Sequence, residues 1–139
     1  MKTSKVAIIL LYDKENVLFQ DRKKISKHGE EYGFFGGHME GEESPEQTLK
    51  RELKEELGID INKLENLEFF KQFDTKISQW NREIKRSVFL AKMPDIKNLK
   101  VTEGKAITIN IKDTFNLKMI PGDLELLKEI YEHLKCPQN

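Results

Sequence analysis

The segment between Ser44 and Gly58 constrains the fold most strongly, because the sequence marks both ends of a helix there. Ser44 is a favourable N-cap residue, Pro45 suits the first helical position, and Gln47 completes a capping-box pattern. Gly58 stands where a left-handed residue commonly ends a helix. The sequence therefore predicts a helix between these two caps.

The predicted helix places several like charges beside its apolar side. At about 100° per residue, the apolar stripe consists of Leu49, Leu53 and Leu57. Three carboxylates border that stripe: Glu52, Glu55 and Glu56. Such neighbours repel each other by about a few tenths of a kcal/mol even when exposed, and partial burial raises this cost. Either salt bridges such as Arg51–Glu55 compensate the carboxylates, or a hard cation such as Mg²⁺ or Mn²⁺ binds them.

The remaining pattern predicts a mixed α/β fold. Apolar runs and alternating apolar residues predict strands over residues 6–12, 17–23, 67–77, 84–93 and 106–111. Residues 24–32 are polar and are predicted to form a loop, and Pro121 introduces a second helix over residues 123–134. No repeat or linker divides the sequence, so we expect one domain over residues 1–139.

Composition excludes some classes of partner. The chain has 24 Lys plus Arg and 24 Asp plus Glu, so it has no general attraction for nucleic acid or an anionic membrane. The longest apolar run, residues 6–11, is too short to span a membrane. Cys136 is the only cysteine, and we interpret it as an idle thiol in a reducing compartment. We therefore expect a cytoplasmic protein.

The spacing around the predicted helix resembles the Nudix box at every position. Five residues separate Gly37 from Glu43, and seven residues separate Glu43 from Arg51-Glu52-Leu53. One residue then precedes Glu55-Glu56, and one more precedes Gly58-Ile59. At average residue usage, such a match arises by chance with a probability on the order of 10⁻⁹ to 10⁻¹⁰ per start site. The resemblance covers nearly the whole chain and implies an α/β/α sandwich with a mixed β-sheet and two main helices.

The resemblance also implies an activity, hydrolysis of a phosphoanhydride with Mg²⁺ or Mn²⁺. Carried onto this chain, the metal ligands are Glu52, Glu55, Glu56 and the backbone carbonyl of Gly37. Arg51 is counted with the catalytic residues and is expected to pair with Glu43, which holds the preceding loop against the helix. The general base is either Glu55 or Glu103, and the sequence leaves these two alternatives open.

Three candidate substrate contacts follow from the same resemblance. Arg22 stands where relatives bind a phosphate, with a solvated strand-end arginine as the alternative. Asp123 stands where relatives contact a base, although Asp after Pro-Gly is also an ordinary helix cap. Phe35 replaces the proline that many relatives carry before the two glycines and is a candidate base contact, with a core or turn anchor as the alternative. Trp80 and Phe34 are further aromatics that stack on a base or anchor the core.

Length and layout resemble small MutT-like nucleoside triphosphate pyrophosphohydrolases. An ADP-ribose hydrolase signature would require proline at position 75, where Thr75 stands, and the tyrosine of diadenosine polyphosphate hydrolases is absent from residues 75–78. We therefore expect a nucleotide substrate, no membrane or nucleic-acid partner, and leave a homodimer open. The alternatives are a nucleotide-sensing module without catalysis, and a hydrolase of another dinucleotide or nucleotide sugar.

Overall fold

The computed structural model describes residues 1–135, so Cys136 lies outside the described residues. Seven strands and two main helices follow one another along the chain. In order they are β1 (Lys2–Asp13), β2 (Asn16–Asp21), β3 (Tyr32–Gly33), β4 (Phe35–His38), α1 (Pro45–Leu57), β5 (Glu68–Ile77), β6 (Arg82–Lys92), β7 (Lys105–Asn110) and α2 (Asp123–Lys135). The predicted mixed sheet with two main helices is confirmed.

The sheet is organised around β1, which is long enough to pair with three strands. It pairs in parallel with β6 from Lys2↔Arg82 to Tyr12↔Lys92. On its other side, β1 pairs antiparallel with β2 near one end and with β4 in the middle. The strand order is β3-β2-β1-β6-β5, and β7 extends the sheet beside β2.

Two apolar cores cover the two faces of the sheet. Successive side chains of a strand point to opposite faces, so β1 contributes to both cores. Ala7 and Ile9 pack with Leu49, Leu53 and Leu57 of α1. Ile8 and Leu10 pack on the other face with Leu126, Leu127, Ile130 and Tyr131 of α2. The chain therefore has one helix on each side of the sheet, as a sandwich requires.

The ends of α1 agree with the sequence prediction. The Ser44 hydroxyl accepts the Gln47 N–H at 3.2 Å, and the Gln47 side chain accepts the Ser44 N–H at 2.8 Å. Gly58 ends the helix at φ +66°.

Strand β4 was not predicted, because the sequence shows only aromatics beside two glycines there. Within residues 1–135, no helix is both long and apolar enough to cross a membrane.

Candidate active site

A cavity of about 560 Å³ is lined by residues of β1, β4 and α1 and by the first residue of α2. Part of its lining is an acidic wall, made of Glu52, Glu55, Glu56 and Glu103. The lining also includes five cationic side chains: Arg22, Lys27, Arg51, Arg82 and Arg86. Both signs of charge therefore face the same cavity, although the whole chain is neutral.

The two glycines of β4 allow the acidic wall to approach the sheet. The Gly36 N–H donates to the Glu56 carboxylate at 3.1 Å. A Cβ on Gly37 would lie 2.5 Å from the Glu52 carboxylate. Gly36 has φ +134°, and a side chain there would also overlap the backbone of Ala7. Glycine is therefore needed at position 37 so that the Glu52 carboxylate can approach, and at position 36 so that β4 can pair with β1.

Burial and mutual repulsion act together on the acidic wall. Glu56 is only 6% exposed, and burial raises the pKa of Glu56 to about 7. The Gly36 N–H opposes this shift, whereas the charges of Glu52 and Glu103 add to it. Burial also raises the pKa of Glu52 despite its hydrogen bond from Arg51, and Glu55 and Glu103 contribute in the same direction. The wall is therefore a place where a positive charge would be strongly stabilised.

Arg51 connects the wall to the loop before α1. Its guanidinium donates to both Glu43 oxygens, at 2.9 and 3.0 Å, and to Glu52 at 2.8 Å. The hydrogen bonds from Arg51 and the Glu40 N–H lower the pKa of Glu43 to about 2 despite some burial. Arg51 also lies 3.8 Å from Glu55. The expected Arg51–Glu43 pair is present, and the same guanidinium orients a carboxylate of the wall.

Both candidates for the general base face the cavity. Glu55 is on the last full turn of α1, and its side chain is 62% exposed. Glu103 lies in the connection before β7, next to Thr102. Thr102 donates its N–H to the Glu56 carbonyl at 3.0 Å and its hydroxyl to the Glu55 carbonyl at 2.8 Å. These bonds hold Glu103 beside the end of α1, where the spacing along the sequence alone could not place it.

Arg22 lies in the cavity wall with two polar partners. It donates to the Gln20 side chain at 2.5 Å and lies 3.8 Å from Glu30. The amide of Gln20 in turn reaches Glu56 at 3.4 Å and the Glu103 carbonyl at 3.1 Å. The sequence does not single out Gln20. The only sign of it in the sequence is that a polar residue directly follows the apolar run of β2. Arg22 is thus connected to the acidic wall and is not a free strand-end side chain.

Asp123 lies at the start of α2 and is buried against Arg86. Nε of Arg86 is 3.2 Å from the Asp123 carboxylate. Arg86 also donates to Thr75 at 2.7 Å and to the Pro121 carbonyl at 2.9 Å. Burial raises the pKa of Asp123 to about 6 although Arg86 opposes the shift. The sequence does not single out Arg86, whose only signal is a charge within the apolar run of β6.

The predicted substrate contact of Phe35 is wrong. Phe35 is fully buried in the core against α1, so its ring cannot stack on a ligand in the cavity. Phe34 lines the cavity instead and packs edge-on against Phe19 at 5.6 Å between ring centroids. Neighbouring residues of extended backbone point to opposite sides, and the sequence alone did not show which aromatic faces which side.

Comparison with known proteins decides the family. The NUDIX domain family matches residues 1–128 of the chain. The chain belongs to this family. An 8-oxo-dGTP diphosphatase from Proteus vulgaris is 42% identical to this Nudix chain over 57 residues, which cover 40% of the chain and 51% of that protein. The match thus spans about half the length of this curated relative.

Solved structures show the same fold. The E. coli ORF135 protein superposes with a TM-score of 0.72 at 24% identity, covering 95% of the Nudix chain and 91% of that protein. The MutT protein from Methanosarcina mazei Go1 superposes with a TM-score of 0.74 at 15% identity, covering 96% of both chains. The predicted family and its fold are therefore confirmed.

Nudix hydrolases generally use divalent metal ions, and the acidic wall suits such an ion. Its donors are carboxylate oxygens, which Mg²⁺ and Mn²⁺ prefer, and Gly37 leaves space beside Glu52 that a side chain would fill. Within residues 1–135, no group of three or more Asp, Glu, His or Cys side chains is arranged to hold a metal ion by itself. In general, Mg²⁺ keeps several waters and takes one or two carboxylates together with substrate phosphates.

Proposed function

We propose that this Nudix chain hydrolyses a phosphoanhydride bond of a nucleoside triphosphate and releases pyrophosphate and a nucleoside monophosphate. The observation that carries the proposal is the cavity, in which Arg22 and the acidic wall lie side by side. A triphosphate needs cationic partners for its oxygens, and its hydrolysis needs an activated water. The name of the Proteus vulgaris relative, 8-oxo-dGTP diphosphatase, supports the same substrate class.

The residues of the acidic wall and the arginines beside it have separate roles in this reaction. Glu52, Glu55, Glu56 and the Gly37 carbonyl would hold a divalent ion. When bound, such an ion neutralises phosphate oxygens and makes a water more acidic. Arg51 orients Glu52 through its 2.8 Å hydrogen bond, and Arg22 binds a phosphate oxygen of the substrate. The water oxygen bonds to phosphorus, the bond from phosphorus to the leaving pyrophosphate breaks, and the water proton moves to a carboxylate.

Two carboxylates can accept that proton, Glu55 and Glu103. Both face the cavity, and substitution distinguishes them. If Glu103 is the base, Glu103→Gln lowers kcat by about 10²-fold or more while metal-induced stabilisation remains. If Glu55 is the base, Glu103→Gln retains most of its kcat and Glu55→Gln loses it. Melting curves with and without Mg²⁺ separate loss of the base from loss of the metal.

A substrate screen tests the proposal directly. The purified chain is incubated with Mg²⁺ or Mn²⁺ and 8-oxo-dGTP, the common nucleoside triphosphates, ADP-ribose or a diadenosine polyphosphate. We expect pyrophosphate release from at least one triphosphate, and complete loss of that activity in EDTA. Glu46→Gln is a matched control, because Glu46 lies on α1 outside the cavity lining. Nucleotide binding without turnover of any substrate would instead support a sensing module.

The metal preference, the oligomeric state and the expected cytoplasmic location each have a measurement of their own. The preference between Mg²⁺ and Mn²⁺ is read from the same screen. Homodimer formation is read from sedimentation of the full chain at two concentrations, and cytoplasmic location from fractionation of cells that express it.

A further inference from the structure

An aromatic pair lines the cavity in addition to the residues above. The rings of His28 and Trp80 are stacked, with centroids 4.5 Å apart and an angle of 27° between their planes. His28 belongs to the connection between β2 and β3, and Trp80 to the short turn before β6. β2 and β6 lie on opposite sides of β1 in the sheet. The stack therefore joins two separate connections across the end of β1, and both rings line the cavity.

The connection that carries His28 is held in place by a buried acid. Glu30 is 6% exposed and accepts the N–H groups of Lys27 and His28, both at 3.1 Å, and the Ser26 hydroxyl. On the other side, the N–H groups of Glu31 and Tyr32 donate to the Lys118 carbonyl. Glu30 also lies 3.8 Å from Arg22. These hydrogen bonds fix the backbone at His28, whose ring lies against Trp80.

The stack lies far along β1 from the two glycines. Gly37 pairs with Ala7 of β1, whereas Arg82, two residues after Trp80, pairs with Lys2. Five residues of β1 separate these positions, or roughly 16 Å at 3.3 Å per residue. A nucleotide is an extended molecule with its base at one end and its phosphates at the other. The two ends of the cavity suit these two parts.

We propose that Trp80 is the platform on which the nucleobase of the substrate stacks, and that His28 occupies this platform until the base displaces it. The inference rests on the proposed function, because it assumes a nucleotide whose phosphates lie at the acidic wall. Stacking on an aromatic side chain is available to every base, since each has a π face. An imidazole ring covers less of the indole than a purine does, so a base gains contact area by replacing it.

Tryptophan fluorescence tests the contact without requiring turnover. Trp80 is the chain's only tryptophan, so its emission reports this position alone. With Mg²⁺ present, we expect the four nucleoside monophosphates to quench the emission and ribose 5-phosphate, which lacks a base, to leave it unchanged. Equal quenching by ribose 5-phosphate, or no change with any of the four nucleotides, would overturn the proposal.

Two substitutions separate a base platform from a structural clamp. We expect Trp80→Leu to raise the KM for the triphosphate about 10-fold or more, with kcat changed less. His28→Ala removes the competing ring, so its KM stays equal or falls. If both variants raise KM to a similar extent, the stack is a clamp and the proposal fails.

Controls keep this test independent of folding and of the proposed function. His133→Ala removes a similar contact outside the cavity, that of His133 with Phe70 at 4.8 Å, and should leave KM unchanged. Melting curves of each variant show that the fold is kept, and Trp80→Phe retains an aromatic face and should recover most of the KM. If the parent chain hydrolyses no nucleotide, the proposed function fails, while the fluorescence titration still decides whether Trp80 contacts a base.

Discussion

At the scale of single residues, Glu56 is the most unusual carboxylate of the acidic wall. It is buried, its pKa is raised to about 7, and its neighbours Glu52 and Glu103 have the same charge. Nothing in the apolar core needs a charge at this position. An acidic side chain that is costly to keep ionised is a frequent sign of a functional site.

We expect Glu56→Gln to change stability and activity in opposite directions. At pH 8 without metal, the variant should be as stable as the parent or more stable by about 1–3 kcal/mol, because it removes a buried like charge. It should lose the stabilisation that Mg²⁺ with a nucleotide gives the parent, and turnover should fall by about 10²-fold or more. Melting curves with and without Mg²⁺ and a turnover assay check this. A variant that melts lower without metal and turns over normally would mean that Glu56 is structural.

Glu43 shows the opposite shift and predicts a dependence of stability on pH. Its pKa is lowered to about 2 from an ordinary value of 4.5. The ion pair of Glu43 with Arg51 therefore stabilises the folded chain above pH 4.5, and this stabilisation is lost as the pH falls towards 2. Glu43→Gln should therefore melt below the parent at pH 6, and the gap should narrow at pH 3. Glu42→Gln, a change in the exposed neighbour, is the control. A gap that stays constant between these pH values contradicts the role of the pair.

At the scale of elements, local patterns were predicted well and long-range ones were not. The ends of α1 depend on contacts within a few residues, between Ser44 and Gln47 and at Gly58, so the sequence contains the information for them. Strand β4 depends on β1, about thirty residues earlier, and its two glycines give no alternation. The same dependence explains Phe35, since the partner strand decides which ring is buried.

The pairing of β4 with β1 beneath α1 gives a prediction at this scale. Gly37→Ala adds a methyl group 2.5 Å from the Glu52 carboxylate, which must move. We expect the fold to survive, with metal-induced stabilisation and turnover reduced about 10-fold or more. Gly36→Ala instead meets the backbone of Ala7 at φ +134°, so it should lower the stability itself by about 2–4 kcal/mol. Urea unfolding of both variants checks the contrast, and equal loss of stability would contradict it.

At the scale of the whole molecule, the candidate site combines one local motif with distant parts of the chain. Helix geometry was enough to predict that Glu52, Glu55 and Glu56 lie together beside the apolar stripe of α1, whereas their role as metal ligands is implied by the family resemblance. No comparable sequence signal marks Gln20, Arg86 or His28. These residues come from different parts of the chain: Arg86 and His28 line the cavity, and Gln20 contacts Glu56 of the acidic wall.

The neutral chain places opposite charges around one cavity, and this arrangement predicts that metal and nucleotide bind cooperatively. Without a cation, the acidic wall repels a triphosphate; with Mg²⁺ bound, the repulsion becomes attraction, so each ligand should strengthen the other equally. We expect the increase in melting temperature with Mg²⁺ and a nucleoside triphosphate together to exceed the sum of the separate increases, by an amount equivalent to about 1–3 kcal/mol. The four conditions are compared in whichever of Glu103→Gln and Glu55→Gln impairs hydrolysis and keeps metal-induced stabilisation, so that substrate persists. Glu46→Gln should keep the excess, and Glu52→Gln should reduce it. Strictly additive shifts in this hydrolysis-impaired variant would show that the acidic wall and the nucleotide do not share a site.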